Sequence, residues 1–192
     1  DKVLYCNTGE NIRNIRNEGL KKDILSVEEI QNLAVAPCGN EEIKQAFLFS
    51  LNTGLRFCDI KVLKWQNVNG DKLIIKSQQK TGKPVYIDLN PNSKKILESK
   101  KGLYDELIFK LPSLTGCLKT LKTWTKKAGI QKNITWHRAR HSIAVNMLIY
   151  GNDIKTVSGI LGHAGLKHTE KYTRIVDELT KKAVNSLPNI EY

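Results

Sequence analysis

Residues 1–24 are polar and rich in Asn, and their apolar positions keep neither a helical nor a strand period. The stretch reads as a linker, or as the tail of a domain lying upstream. Periodic order begins at Ser26, where Ser26 and Glu29 form an S-x-x-E capping box that opens a helix to about Val35. A second helix is predicted from Glu41 to Asn52, with two acids at the positive end of its dipole and Thr53-Gly54 to break it. A short third helix covers roughly Cys58 to Lys64. The period then changes. Lys72 to Ser77 and Pro84 to Leu89 are β-rich and flank a Thr81-Gly82 turn, the pattern of a hairpin. Pro91 opens a helix to about Lys100. Ser113 to Ala128 and His137 to Tyr150 read as two longer helices, and Asp153 caps another with Ile154, Val157, Ile160 and Leu161 on one face. A last helix is predicted from about Val176 to Ser186, with Val176, Leu179, Ala183 and Leu187 as its apolar positions. The pattern predicts a mainly α fold with a small antiparallel β-sheet (α+β), formed by residues 25–192 as one domain.

The chain's 192 residues suffice to bury a real core, and a hydrophobic content of 40% is ordinary for a globular domain. No apolar run approaches the length of a membrane span, and residues 1–11 lack the basic-then-apolar pattern of a signal peptide. Cys6, Cys38, Cys58 and Cys117 are scattered without a C-x-x-C pair, so they signal neither a zinc site nor a redox motif and read as free thiols.

Charge changes the picture more. A net +12, from 31 Lys and Arg against 19 Asp and Glu, favours a polyanionic partner. From Leu107 to Asn152 there is no Asp or Glu, yet the stretch carries Lys110, Lys119, Lys122, Lys126, Lys127, Lys132, Arg138 and Arg140. Such a segment suits a phosphate-facing surface, although charge alone fits a solvated lysine-rich face equally well.

Four stretches hold candidate chemistry. In His137-Arg138-Ala139-Arg140-His141, the His137 and Arg140 side chains project from one helical face, and paired His and Arg donors are what a phosphoryl group needs. His137 and His141 have the i, i+4 spacing of some zinc sites, but the Glu of H-E-x-x-H is absent, so no metal is expected there. The tail Leu161-Gly162-His163-Ala164-Gly165-Leu166-Lys167-His168-Thr169-Glu170-Lys171-Tyr172 places a His after a helix-ending Gly and a Tyr nine residues on. Arg56 follows the Thr53-Gly54 break, with Asp59 three residues later, and Lys80 sits at the hairpin turn. Each residue has a plain reading when taken singly: a packed tyrosine, a local Arg–Asp pair, a solvated turn lysine.

Together and in this order, T-G-L-R-F-C-D-I, Q-K-T-G, H-R-A-R-H-S-I-A and L-G-H-A-G-L-K-H-T-E-K-Y resemble the tyrosine recombinase (phage integrase) family, over about Asp23 to Pro188. The flavour is that of integrases of conjugative transposons and related mobile elements. The resemblance implies a catalytic domain at 25–192, preceded by the tail of a core-binding domain at 1–24. It implies site-specific DNA recombination, integration or excision, through a 3′-phosphotyrosyl link at Tyr172, without metal, cofactor or ATP. Its site would be Arg56, Lys80, His137, Arg140 and His163 around the Tyr172 nucleophile. Arg56 and Arg140 would clamp the transition state and His163 would add a hydrogen bond. Lys80 would be the general acid and His137 the proton partner of Tyr172, with Asp59 in support. Lys119, Lys122, Lys126, Lys127 and Arg138 would contact double-stranded DNA. Full-length protomers would act as a tetramer on paired sites, with the isolated domain a monomer in a bacterial cytoplasm, at the nucleoid and not in a membrane. The competing readings are a catalytically silent DNA-binding module of the same fold, a type IB topoisomerase-like enzyme or telomere resolvase, and a basic RNA-binding protein.

Overall fold

The computed structural model describes residues 23–100, 102–163 and 165–185. Eight α-helices and three strands alternate in clear blocks among the described residues: α1 Val27–Val35, α2 Glu41–Thr53, α3 Phe57–Lys61, a 3-10 turn Trp65–Asn67, β1 Val68–Asn69, β2 Lys72–Ile75, β3 Val85–Asp88, α4 Pro91–Glu98, α5 Leu114–Lys127, α6 Trp136–Ile149, α7 Ile154–Ile160 and α8 Lys167–Asn185. The expected mainly α architecture with a small antiparallel sheet is what forms. Of the linker expected at 1–24, residues 1–22 lie outside the described residues, as does Leu187 of the tail.

The caps read from the sequence are present. Ser26 Oγ accepts from the Glu29 amide while Glu29 returns a bond to the Ser26 amide, and Asp153 accepts from the amides of Lys155 and Thr156. α2 is the central element, packing against α4, α5 and α6. It buries Ile43, Ala46, Phe47, Phe49 and Leu51. Phe47 meets Trp124 of α5 and Trp136 of α6 edge-on, at centroid distances of 6.0 and 5.3 Å. The three strands run antiparallel in sequence order, and Leu73, Ile75, Val85 and Ile87 turn their side chains to the core. A second cluster joins Ile143, Ala144 and Val145 of α6, Val157 and Leu161 at α7, and Tyr172 and Ile175 of α8. Among the described residues no helix is long and apolar enough to cross a membrane.

Three details differ from the sequence expectation. α3 ends at Lys61, short of Lys64, because the Lys64 amide bonds the Asn67 side chain and the Trp65 and Gln66 amides bond the Glu106 and Tyr104 carbonyls. The chain thereby leaves the helix and forms β1, a third strand that was not expected. The last helix begins at Lys167 rather than Val176. Buried Thr169, Tyr172 and Ile175, with Val176 packed beside them, repeat at helical spacing. That stripe is invisible when only aliphatic residues are counted.

Gly54 closes α2 with φ 69°, and a Cβ there would stand 2.9 Å from Leu161 Cδ2. Glycine thus lets the end of α7 press against the turn that delivers Arg56.

Candidate active site

Arg56 is the N-cap residue of α3, placed there by the left-handed turn at Gly54. Its Nη1 donates to Gln78 Oε1 at 3.3 Å and lies 4.0 Å from Asp59 Oδ2. Asp59 is buried, and its other oxygen accepts from the Gln79 amide at 2.8 Å. Asp59 thus reaches Arg56 on one side and the backbone beside Lys80 on the other.

Arg140 is 3% exposed on α6. Its guanidinium donates to the carbonyl of Gly54, two residues before Arg56, and to that of Leu161, two residues before His163. One side chain thereby ties three motif segments together. Burial first, then the nearby Arg56 charge, lowers its pKa to about 10, which still leaves it a cation at neutral pH.

Arg56, Lys80, His137 and Arg140 line one open cavity of about 330 Å³, together with Phe57, Cys58, Leu114, Leu118, Thr135 and Trp136. No carboxylate is among these lining residues. Desolvation, followed by the cations Lys171, Arg140, Lys80 and Arg138, holds His137 below the ordinary imidazole range. So positive a site favours an anion.

His163 and Tyr172 are not among the residues that line this cavity. His163 Nδ1 and Thr169 Oγ1 share a 2.8 Å hydrogen bond, which fixes the imidazole against the start of α8. Tyr172 is 1% exposed and faces α6 and α7. Its hydroxyl bonds His141 Nδ1 at 2.5 Å, not His137, the expected partner. The His137 ring lies one step away, edge-on to that of His141 with centroids 4.2 Å apart. Burial pushes the His141 pKa down to about 2 and that of Tyr172 up to about 12. The imidazole is thus neutral and the phenol stays protonated. Lys171 Nζ lies 4.9 Å from the centre of the Tyr172 ring.

His141, the partner of the Tyr172 hydroxyl, is not among the residues expected at the site from the sequence. Its signal was the i, i+4 spacing from His137, which puts both rings on one helical face. In the sequence the same spacing resembles a zinc motif that lacks its Glu.

Lys119, Lys122, Lys126 and Lys127 are exposed on α5, on the side opposite buried Cys117, Leu121 and Trp124. Arg138 instead pairs with Asp23 at 3.1 Å.

Residues 23–178 match the phage integrase family. Among curated relatives, tyrosine recombinase XerC of Caldanaerobacter subterraneus subsp. tengcongensis is 28% identical over 72% of this chain and 42% of its own length. Tyrosine recombinase XerA of Pyrococcus furiosus is 28% identical over 94% of this chain and 69% of its own. The chain thus spans between two fifths and seven tenths of these two relatives. Among solved structures, the catalytic domain of bacteriophage HP1 integrase superposes with a TM-score of 0.64 at 19% identity, covering 86% of this chain and 95% of that one. The Tn1549 transposon integrase in complex with circular intermediate DNA gives 0.60 at 16% identity, covering 79% and 62%. The chain therefore belongs to the phage integrase family and has the catalytic-domain fold of the tyrosine recombinases, DNA strand transferases that carry out site-specific recombination.

Proposed function

We propose that this chain cuts and rejoins one DNA strand at a time through Tyr172, as the catalytic domain of an integrase that moves a mobile element. The observation that carries the reading is the carboxylate-free cavity lined by Arg56, Lys80, His137 and Arg140, with Tyr172 buried against α6, the helix that carries His137 and Arg140. A scissile phosphate seated there would meet two guanidinium groups where negative charge grows on the non-bridging oxygens. The Tyr172 oxygen forms a bond to phosphorus, the bond to the 5′-oxygen breaks, and a 3′-phosphotyrosyl link results. The phenol proton leaves through His137, the imidazole on the cavity, once the hydroxyl has come away from His141, which burial keeps neutral. Lys80 gives a proton to the departing 5′-oxygen, and His163 donates to the phosphoryl group. The diester's energy stays in the covalent link, and a 5′-hydroxyl from a partner strand reverses the step, so no ATP is consumed. The arginines supply the charge stabilisation that a divalent ion supplies in other phosphoryl transfers.

The α5 lysines are read as contacts to duplex phosphates flanking the cut, which position the protein without reading sequence. Residues 25–192 would be the catalytic domain, 1–24 the connection to a DNA-clamping domain, and full-length protomers would act as a tetramer on paired sites in the bacterial cytoplasm. Arg56→Ala tests the reading on supercoiled plasmid. The variant should retain plasmid binding and form nicked or covalent product about 100-fold more slowly than the parent. Unchanged cleavage by Arg56→Ala would remove the arginine clamp from the account.

A further inference from the structure

Gln78 lies two residues before Lys80 and is 2% exposed, whereas its neighbours Ser77, Gln79 and Lys80 are all exposed. Its backbone closes the turn. The Gln78 amide donates to the Lys83 carbonyl at 3.0 Å, and the Gly82 amide donates to the Gln78 carbonyl at 2.9 Å. Its side chain makes a different set of contacts. Oε1 accepts from Arg56 Nη1 at 3.3 Å and from Thr81 Oγ1 at 2.9 Å. Two donors converge on one atom, and only the oxygen end of the amide can receive both.

The third neighbour is Gly162, at φ 58° in the turn before His163. A Cβ there would stand 3.4 Å from Gln78 Oε1. The positive φ favours glycine, and the turn before His163 therefore packs directly on this amide. A buried primary amide is destabilising unless it is bonded, and here the bonds run to two separate segments of the cavity wall.

We propose that Gln78 is a positioning residue whose side-chain carbonyl couples the Arg56 guanidinium to the turn carrying Lys80, so that clamp and proton donor meet the phosphate as one unit. Arg56 stands at the start of a helix in the core, while Lys80 is exposed on a hairpin tip. Gln78 is the side chain through which the guanidinium and that tip share an atom. Asp59 acts in parallel on the Gln79 amide, so the amides that report on Gln78 are those beyond it. Gly82 donates to the Gln78 carbonyl, and Lys83 donates to Thr81 Oγ1 at 3.4 Å.

The proposal rests on the roles read above for Arg56 and Lys80, but the coupling itself is measurable without DNA. Residue-resolved amide hydrogen exchange is compared in the 192-residue chain with and without Arg56→Ala, in parent, Gln78→Met and Gln78→Glu backgrounds. In the parent and in Gln78→Glu, which keeps an acceptor, Arg56→Ala should speed exchange at Gly82 and Lys83 about fivefold. In Gln78→Met, which keeps the volume but not the acceptor, the tip should already exchange about fivefold faster, and Arg56→Ala should add nothing. Thr81→Val, an exposed change, should reproduce that loss of coupling even where Gln78→Met does not fold. An equal factor in the parent, Gln78→Met and Thr81→Val backgrounds, or no effect of Arg56→Ala on these amides in the parent, would overturn the proposal. Failure of the catalytic reading has a separate signature, a Lys80→Ala variant that cuts DNA at the parent rate, and it leaves the exchange result standing.

Discussion

Arg140 and Tyr172 are equally hidden, at 3% and 1% exposure, but their polar atoms are held in different ways. The Arg140 guanidinium bonds two backbone carbonyls, at Gly54 and Leu161, both fixed by helix ends that press together. A guanidinium has five N–H donors, so this anchoring leaves donors to face a phosphate. The Tyr172 hydroxyl has one proton, and its hydrogen bond is made with His141. On the reading proposed above, the arginine is set in its working position before substrate arrives, while the tyrosine is stored as a protonated phenol whose hydroxyl has to leave His141 before it attacks. That reading places the change that DNA must bring about at α8 and not at the cradle.

The largest way to break this contrast is Arg140→Ala. It removes a charge and leaves the Gly54 and Leu161 carbonyls without their donors, so urea unfolding should show a loss of about 3 kcal/mol, and plasmid cleavage should fall at least about 100-fold. A variant as stable as the parent would mean that the cradle is not prebuilt.

A smaller effect comes from the tyrosine side through pH. His141 titrates near 2 in the folded chain against an ordinary value of 6.5. Between those values the unfolded chain binds a proton that the folded chain refuses. Stability therefore falls as pH drops below about 6.5, by up to about 1.4 kcal/mol per pH unit for this one group. His137, shifted in the same direction, adds to the slope. Thermal unfolding of the parent and of His141→Leu from pH 7 to 4 checks this, and the variant should show the shallower dependence. Equal slopes would place the titration elsewhere.

Helix starts were legible wherever the signal was local: Ser26 with Glu29 and Asp153 cap the helices expected of them, and Pro91 stands at the first position of its own. The members of the site were legible because each sits in a short motif. How they meet was not. Arg140 reaches Gly54 across 86 residues and Arg138 finds Asp23 near the start of the described chain, and no period along the chain encodes such pairings. The α8 start was hidden because Thr169 and Tyr172 are buried with polar tips, and they did not register as apolar positions. β1 was hidden because it spans only two residues, Val68–Asn69, held in place by its pairing with β2.

The most direct measurement is covalent trapping. The chain is mixed with labelled supercoiled plasmid, quenched with SDS, digested with nuclease and mapped by peptide mass spectrometry, with Tyr172→Phe run beside it. The account predicts nucleotide attached through a 3′-phosphate to the peptide bearing Tyr172, and no adduct in the variant. Nucleotide on any other residue, or an adduct that survives Tyr172→Phe, would contradict it.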